Sequence, residues 1–171
     1  MATKTRIKFD KEKYKKMVLK RAIEEQTRRL VAYAENELYK MIATHEFVNR
    51  TFNLADSYVW AVYYDRKREG YGFQGAKRAT EKSYLHEWSK NPIPVDGRES
   101  AMAFLKRFEG VGTIGNGWTI VWAACAPYGK YLDPDPKFGN TPTNRFYVIS
   151  QRYDFIKRTL EPKCHVELKL I

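Results

Sequence analysis

From Lys11 to Thr44 apolar residues return at three- and four-residue steps: Tyr14, Met17, Val18, Ile23, Leu30, Val31, Ala34, Leu38, Met41 and Ile42. That spacing marks one face of a helix. Charges such as Glu24, Glu25, Arg28, Arg29, Glu35, Glu37 and Lys40 fill the remainder, and the stretch holds no Gly or Pro. Asp10 stands where an N-cap is needed. A helix of this length runs roughly 50 Å at 1.5 Å per residue. That exceeds what a chain of 171 residues needs for its own core. The expectation is that the first half projects from the body or that the helix breaks near Arg21.

The pattern then changes. Tyr58–Tyr64 (YVWAVYY) and Trp118–Ala126 (WTIVWAACA) are rich in aromatic and β-branched residues and predict strands. In the first, Tyr58, Trp60, Val62 and Tyr64 share one face, with Val59, Ala61 and Tyr63 on the other. Asp65–Gly75 predicts a charged loop or hairpin tip, Ala76–Lys90 a short helix, and Asn91–Gly97, with Pro92 and Pro94, a connection. Arg98–Phe108 and Phe146–Leu160 predict helices, and His165–Ile171 alternates as a last strand. The class is α+β: a long N-terminal helix packed on a small, mainly antiparallel sheet with additional short helices. Residues 1–21 form a basic arm or helix extension, and 22–171 a single domain.

Composition sharpens this. Hydrophobic residues make up 43% and aromatic residues 15% of the chain, enough for a core. Net charge is +11, and nine basic residues against two acidic ones fall within the first 21 positions. The implied polyanionic or acidic partner is therefore mostly a partner of the N-terminal segment. No run approaches the length of a membrane-spanning helix. The start of the chain lacks the apolar stretch of a secretory leader. With only two cysteines, Cys125 and Cys164, the expectation is a soluble chain made in a reducing compartment.

Candidate chemistry is sparse. Gly110-Val-Gly112-Thr-Ile-Gly115 matches the dinucleotide-binding glycine pattern, but the predicted helix precedes it and the strand follows, the reverse of the required order. His45 and His86 lack the second histidine of a zinc-protease motif. Cys164 and His165 are adjacent in a predicted strand and so point to opposite faces. Asp133-Pro134-Asp135-Pro136 reads as a rigid turn before a metal cluster with Asp65. No catalytic constellation, cofactor or metal site is expected. The aromatic face bearing Tyr58, Trp60 and Tyr64 fits core packing, a subunit interface or, with basic residues, base stacking.

Two short motifs complete the sequence pattern. Thr51-x-Asn53-Leu54-x-Asp56-Ser57 joins the long helix to the first strand, its polar residues suited to satisfying backbone groups at the junction. Pro127-Tyr128-x-x-Tyr131 ends the later strand. In this order and separation, they resemble the head–tail joining (neck or tail-completion) proteins of tailed bacteriophages. There are departures: Phe52 replaces a usual Gly, Gly129 and Leu132 replace an Ala and an acidic residue, and 65–117 is longer, implying an inserted helix pair.

The resemblance implies a structural virion protein, not an enzyme. Copies, often twelve, would form a ring in the neck joining portal or adaptor proteins to tail proteins around the DNA channel. The ring would be assembled in the host cytoplasm, without a membrane. Lys4, Arg6, Lys8, Lys11, Lys13, Lys15 and Lys16 would then meet double-stranded DNA non-specifically or an acidic neighbour. Tyr58, Trp60 and Tyr64 would meet the next subunit. The alternative is a nucleic-acid-binding module using the same arm and aromatic face.

Overall fold

A computed structural model of the chain describes residues 10–43, 52–79, 83–85, 90–91, 93–110, 114–127, 152–160 and 164–170. A helix α1 (Lys11–Ala43) opens it, followed by a single turn α2 (Asn53–Asp56), strands β1 (Tyr58–Tyr64) and β2 (Lys67–Phe73), and short strands β3 (Ser83–Leu85) and β4 (Ile93–Val95). Helix α3 (Gly97–Gly110), strand β5 (Trp118–Ala124), helix α4 (Tyr153–Leu160) and strand β6 (His165–Leu170) complete it. The fold is α+β, with the long helix packed on a four-stranded mixed sheet of order β2-β1-β5-β6. β1 runs antiparallel to both β2 and β5, while β6 is parallel to β5.

Both central strands are apolar on both faces because both faces are covered. Tyr58, Trp60, Val62, Ile120 and Trp122 pack under Leu30, Ala34, Leu38 and Met41 of α1 and Ile156 of α4. Val59, Ala61, Tyr63, Val121 and Ala123 pack under Phe104, Leu105 and Phe108 of α3. The indole of Trp122 on β5 donates a buried hydrogen bond of 2.9 Å to the Ala34 carbonyl, fixing α1 across the sheet. About one turn further along α1 the buried Glu37 accepts from Arg152 at 2.7 Å and from Lys40 at 2.8 Å, joining α1 to the start of α4.

Several expectations change. The hairpin tip is confined to Asp65 and Arg66, whose φ values of 46° and 69° are those of a two-residue turn. The charged stretch behind it is strand β2. Its glycines look like breakers, yet an added Cβ on Gly72 would lie 2.9 Å from the Trp60 indole, and one on Gly70 2.9 Å from Val31. Absent side chains there make room for the core of the neighbouring strand. The helix expected over 76–90 gives way at Ser83–Leu85 to a strand paired with Ile93–Val95, a segment expected to be a plain connection. The inserted helix pair is, among the described residues, one helix, and α3 is the cover of the sheet's second face. Residues 146–151 of the expected last helix, and Asp133 and Asp135, lie outside the described residues.

Candidate interaction surfaces

The first motif folds into a buried junction. Phe52 sits at φ 59° and ψ 0°, the left-handed region that suits glycine. The Asn53 side-chain carbonyl accepts from the Gly97 N–H at 3.1 Å, holding the first turn of α3. An added Cβ on Gly97 would lie 1.9 Å from the Asn53 carbonyl oxygen. The buried Asp56 carboxylate accepts from the N–H groups of Arg78 (2.9 Å) and Ala79 (2.7 Å) and lies 4.0 Å from the Arg98 guanidinium. Ser57 donates to Leu54 at 2.7 Å, and its oxygen accepts from the Cys125 N–H at 3.2 Å, where β5 ends. Leu54 is part of the core under α1. The motif thus ties α2, α3, the 78–79 segment and β5 together. Thr51 lies outside the described residues. Pro127 follows β5 half-buried, while Tyr128 and Tyr131 lie outside the described residues.

The basic segment begins α1. The Asp10 carboxylate caps it, accepting from the N–H groups of Glu12 (3.1 Å) and Lys13 (3.0 Å). Lys11, Lys13, Lys15 and Lys16 are all exposed. Lys15 pairs with Glu12 at 3.1 Å, a surface pair that contributes little stability. Lys4, Arg6 and Lys8 lie outside the described residues. The helix does not break near Arg21. Its first three turns stand clear of the body, with Tyr14, Met17, Val18 and Leu19 between 41% and 61% exposed.

The aromatic face of β1 is not an outer surface. Tyr58 and Trp60 are buried beneath α1, so the expected neighbour contact at these positions is replaced by the chain's own helix. The same burial removes them from base stacking. Tyr64 is half-buried, its ring 4.4 Å from that of Trp118. Exposed aromatic surface lies instead on β2, where Arg68 sits 4.5 Å over the Tyr71 ring.

The remaining reactive groups are occupied or buried. Burial pushes the Cys125 thiol up to about 12, only partly countered by Arg107, so it is protonated and unreactive near neutrality. Cys164 lies in the core beneath α1 and Cys125 in the core on the opposite face of the sheet, which keeps the two from bonding to each other. His165 is exposed and pairs with Glu167 at 2.7 Å. Burial raises the Glu167 carboxyl, but hydrogen bonds from Lys169 and His165 outweigh it and hold the group below its ordinary value. Burial and Glu109 push the Tyr63 hydroxyl upward. Among the described residues no cluster of three or more His, Cys, Asp or Glu side chains is placed to hold a metal. Nor, among them, is any helix long and apolar enough to cross a membrane.

Sequence reasoning missed a shallow groove of about 410 Å³ between α1 and β2, lined by Ile23, Glu24, Thr27, Arg28 and Glu69. The β1–β2 register skips Glu69, which makes it the extra residue of a β-bulge. Gly70, directly after the charged run Lys67-Arg68-Glu69, was the signal available for it. Comparison with protein-family models, curated proteins and solved structures finds no significant match to this chain.

Proposed function

We propose that the chain is a structural subunit of a phage neck ring that joins the portal side of the head to the tail around the DNA channel. The observation that carries the reading is the free end of α1. A body covered on both faces of its sheet extends three helical turns that expose both apolar and basic side chains. A free helix of that composition is stabilised by packing against another chain. The buried junction at Asn53, Asp56 and Ser57 supports the reading, since it gives the first of the two resembling motifs a definite architectural role. Activity in this reading is geometry: a stiff body, a projecting helix, and surfaces that fit neighbours. No catalysis or cofactor is assigned.

The test is affinity purification of the tagged chain from cells producing it in its native context, with and without nuclease, read by mass spectrometry. Recovery of portal, neck and tail proteins that survives nuclease is the expected result. Recovery of nucleic acid and its binders alone, lost on nuclease treatment, would overturn the reading.

A further inference from the structure

We infer that the first three turns of α1 in one copy dock in the α1–β2 groove of the next copy. The inference rests on the neck-ring reading for its partner, a second copy of this chain. Lys11–Arg21 carries six basic residues against one acidic residue, with Tyr14, Met17, Val18 and Leu19 exposed among them. The groove offers the complement. Glu24 and Glu69 supply carboxylates, Ile23 and the Thr27 methyl supply apolar floor, and the basic lining residue, Arg28, is paired with Glu25 at 3.3 Å.

Both carboxylates are weakly engaged within the chain. Glu24 is 3.9 Å from Lys20 and Glu69 3.5 Å from Lys67, and the lysine in each pair is 79% exposed. The bulge in β2 leaves Glu69 outside the regular ladder at the groove, where a neighbour's lysines can reach it. A DNA phosphate backbone would use the lysines but leave the four apolar side chains in water. A groove on another copy uses both. Projecting helix and groove are different surfaces of one chain, so the contact is heterologous and propagates until it closes.

The experiment uses the purified full-length chain and two double variants, checked for folding by circular dichroism. Val18→Asp with Leu19→Asp disables the helix, and Glu24→Lys with Glu69→Lys disables the groove. All four positions are at least partly exposed, so the fold is expected to survive. Sedimentation of the wild-type chain should show assemblies larger than a monomer. Each variant alone should self-associate about tenfold or more weakly. An equimolar mixture of the two should give a one-to-one dimer that grows no further, because only one intact helix–groove pair remains.

A wild-type chain that stays monomeric at its highest soluble concentration overturns the inference, as do assemblies indifferent to the helix substitutions. A monomer whose helix variant loses affinity for duplex DNA overturns it in favour of a nucleic-acid contact. The two readings fail separately. A monomer that still co-purifies with portal and tail proteins removes this contact and leaves the neck ring. A helix-dependent oligomer found without those proteins keeps the contact and removes the neck.

Discussion

Gly97 and Phe52 stand on opposite sides of one junction and carry opposite backbone demands. Gly97 has no space for a side chain, since its Cβ would fall 1.9 Å from the Asn53 carbonyl oxygen. Gly97→Ala must displace either α2 or the start of α3, and a cost of about 2–3 kcal/mol is expected from such overpacking. Phe52 holds φ 59° with a bulky side chain that is 37% exposed. Releasing that strain while adding glycine's unfolded-state freedom should make Phe52→Gly stabilising by about 0.5–1 kcal/mol. Urea denaturation of the two variants checks both signs. Nearby, Asp96 accepts from the Glu99 N–H at 3.0 Å and pairs with Lys77. Partial burial raises its carboxyl, but the Lys77 ammonium and the Glu99 N–H outweigh that and hold it below its ordinary value. A carboxyl depressed in the folded state stabilises above its unfolded pKa of about 3.9 and loses that stabilisation as pH falls through the folded value. The acid limb of the stability curve should therefore be shallower in Asp96→Asn, seen as thermal midpoints that converge with wild type below pH about 3. Curves that stay parallel there would mean that the Asp96 charge does not contribute.

The elements differ in how much of them is written locally. β1 is legible residue for residue, Tyr58 to Tyr64, because a strand covered on both faces must be apolar throughout. α1 is legible because its N-cap and period are local. β2 is not, since Gly70 and Gly72 become strand residues only once Val31 and the Trp60 indole occupy the space above them. The junction motif was legible as a junction but not as a hub. The partners that make Asn53, Asp56 and Ser57 a hub lie between 22 and 68 positions away, beyond the reach of local pattern. The same gap explains the aromatic face: its period and a long helix packed on the sheet are legible, whereas which of the two faces that helix covers is not set by spacing. The two tryptophans test this layering. Trp122 hydrogen-bonds the Ala34 carbonyl, whereas the buried indole nitrogen of Trp60 has no hydrogen-bond partner among the described residues. Trp122→Phe should therefore cost about 1–2 kcal/mol more than Trp60→Phe. Chemical denaturation of the pair decides it, and equal losses would show that the Trp122 hydrogen bond adds nothing beyond packing.

At the scale of the whole molecule, α1 is one helix with two kinds of stability. From Leu30 to Ile42 it is held by buried side chains, the Trp122 hydrogen bond and the Glu37–Arg152 pair. From Lys11 to Ala22 every residue is exposed, and helix propensity, the Asp10 cap and surface ion pairs are what support it. A segment of that length is marginal alone, because helical stability in proteins comes mainly from packing. Amide exchange should therefore rise steeply along a single unbroken helix. Amides near Leu38 should open only with global unfolding, and those near Val18 through local fraying. Hydrogen-exchange mass spectrometry of the isolated chain reads this gradient directly. Uniform protection along α1 would mean that the first turns are already packed against something. Under the neck-ring proposal, repeating the measurement on the assembled particle gives the functional contrast. If the projecting turns are where this subunit meets its neighbours, protection should appear at residues 14–21 and change little at 30–42. Protection gained elsewhere, with 14–21 still exchanging freely, would place the contact on another surface and leave the free helix without its partner.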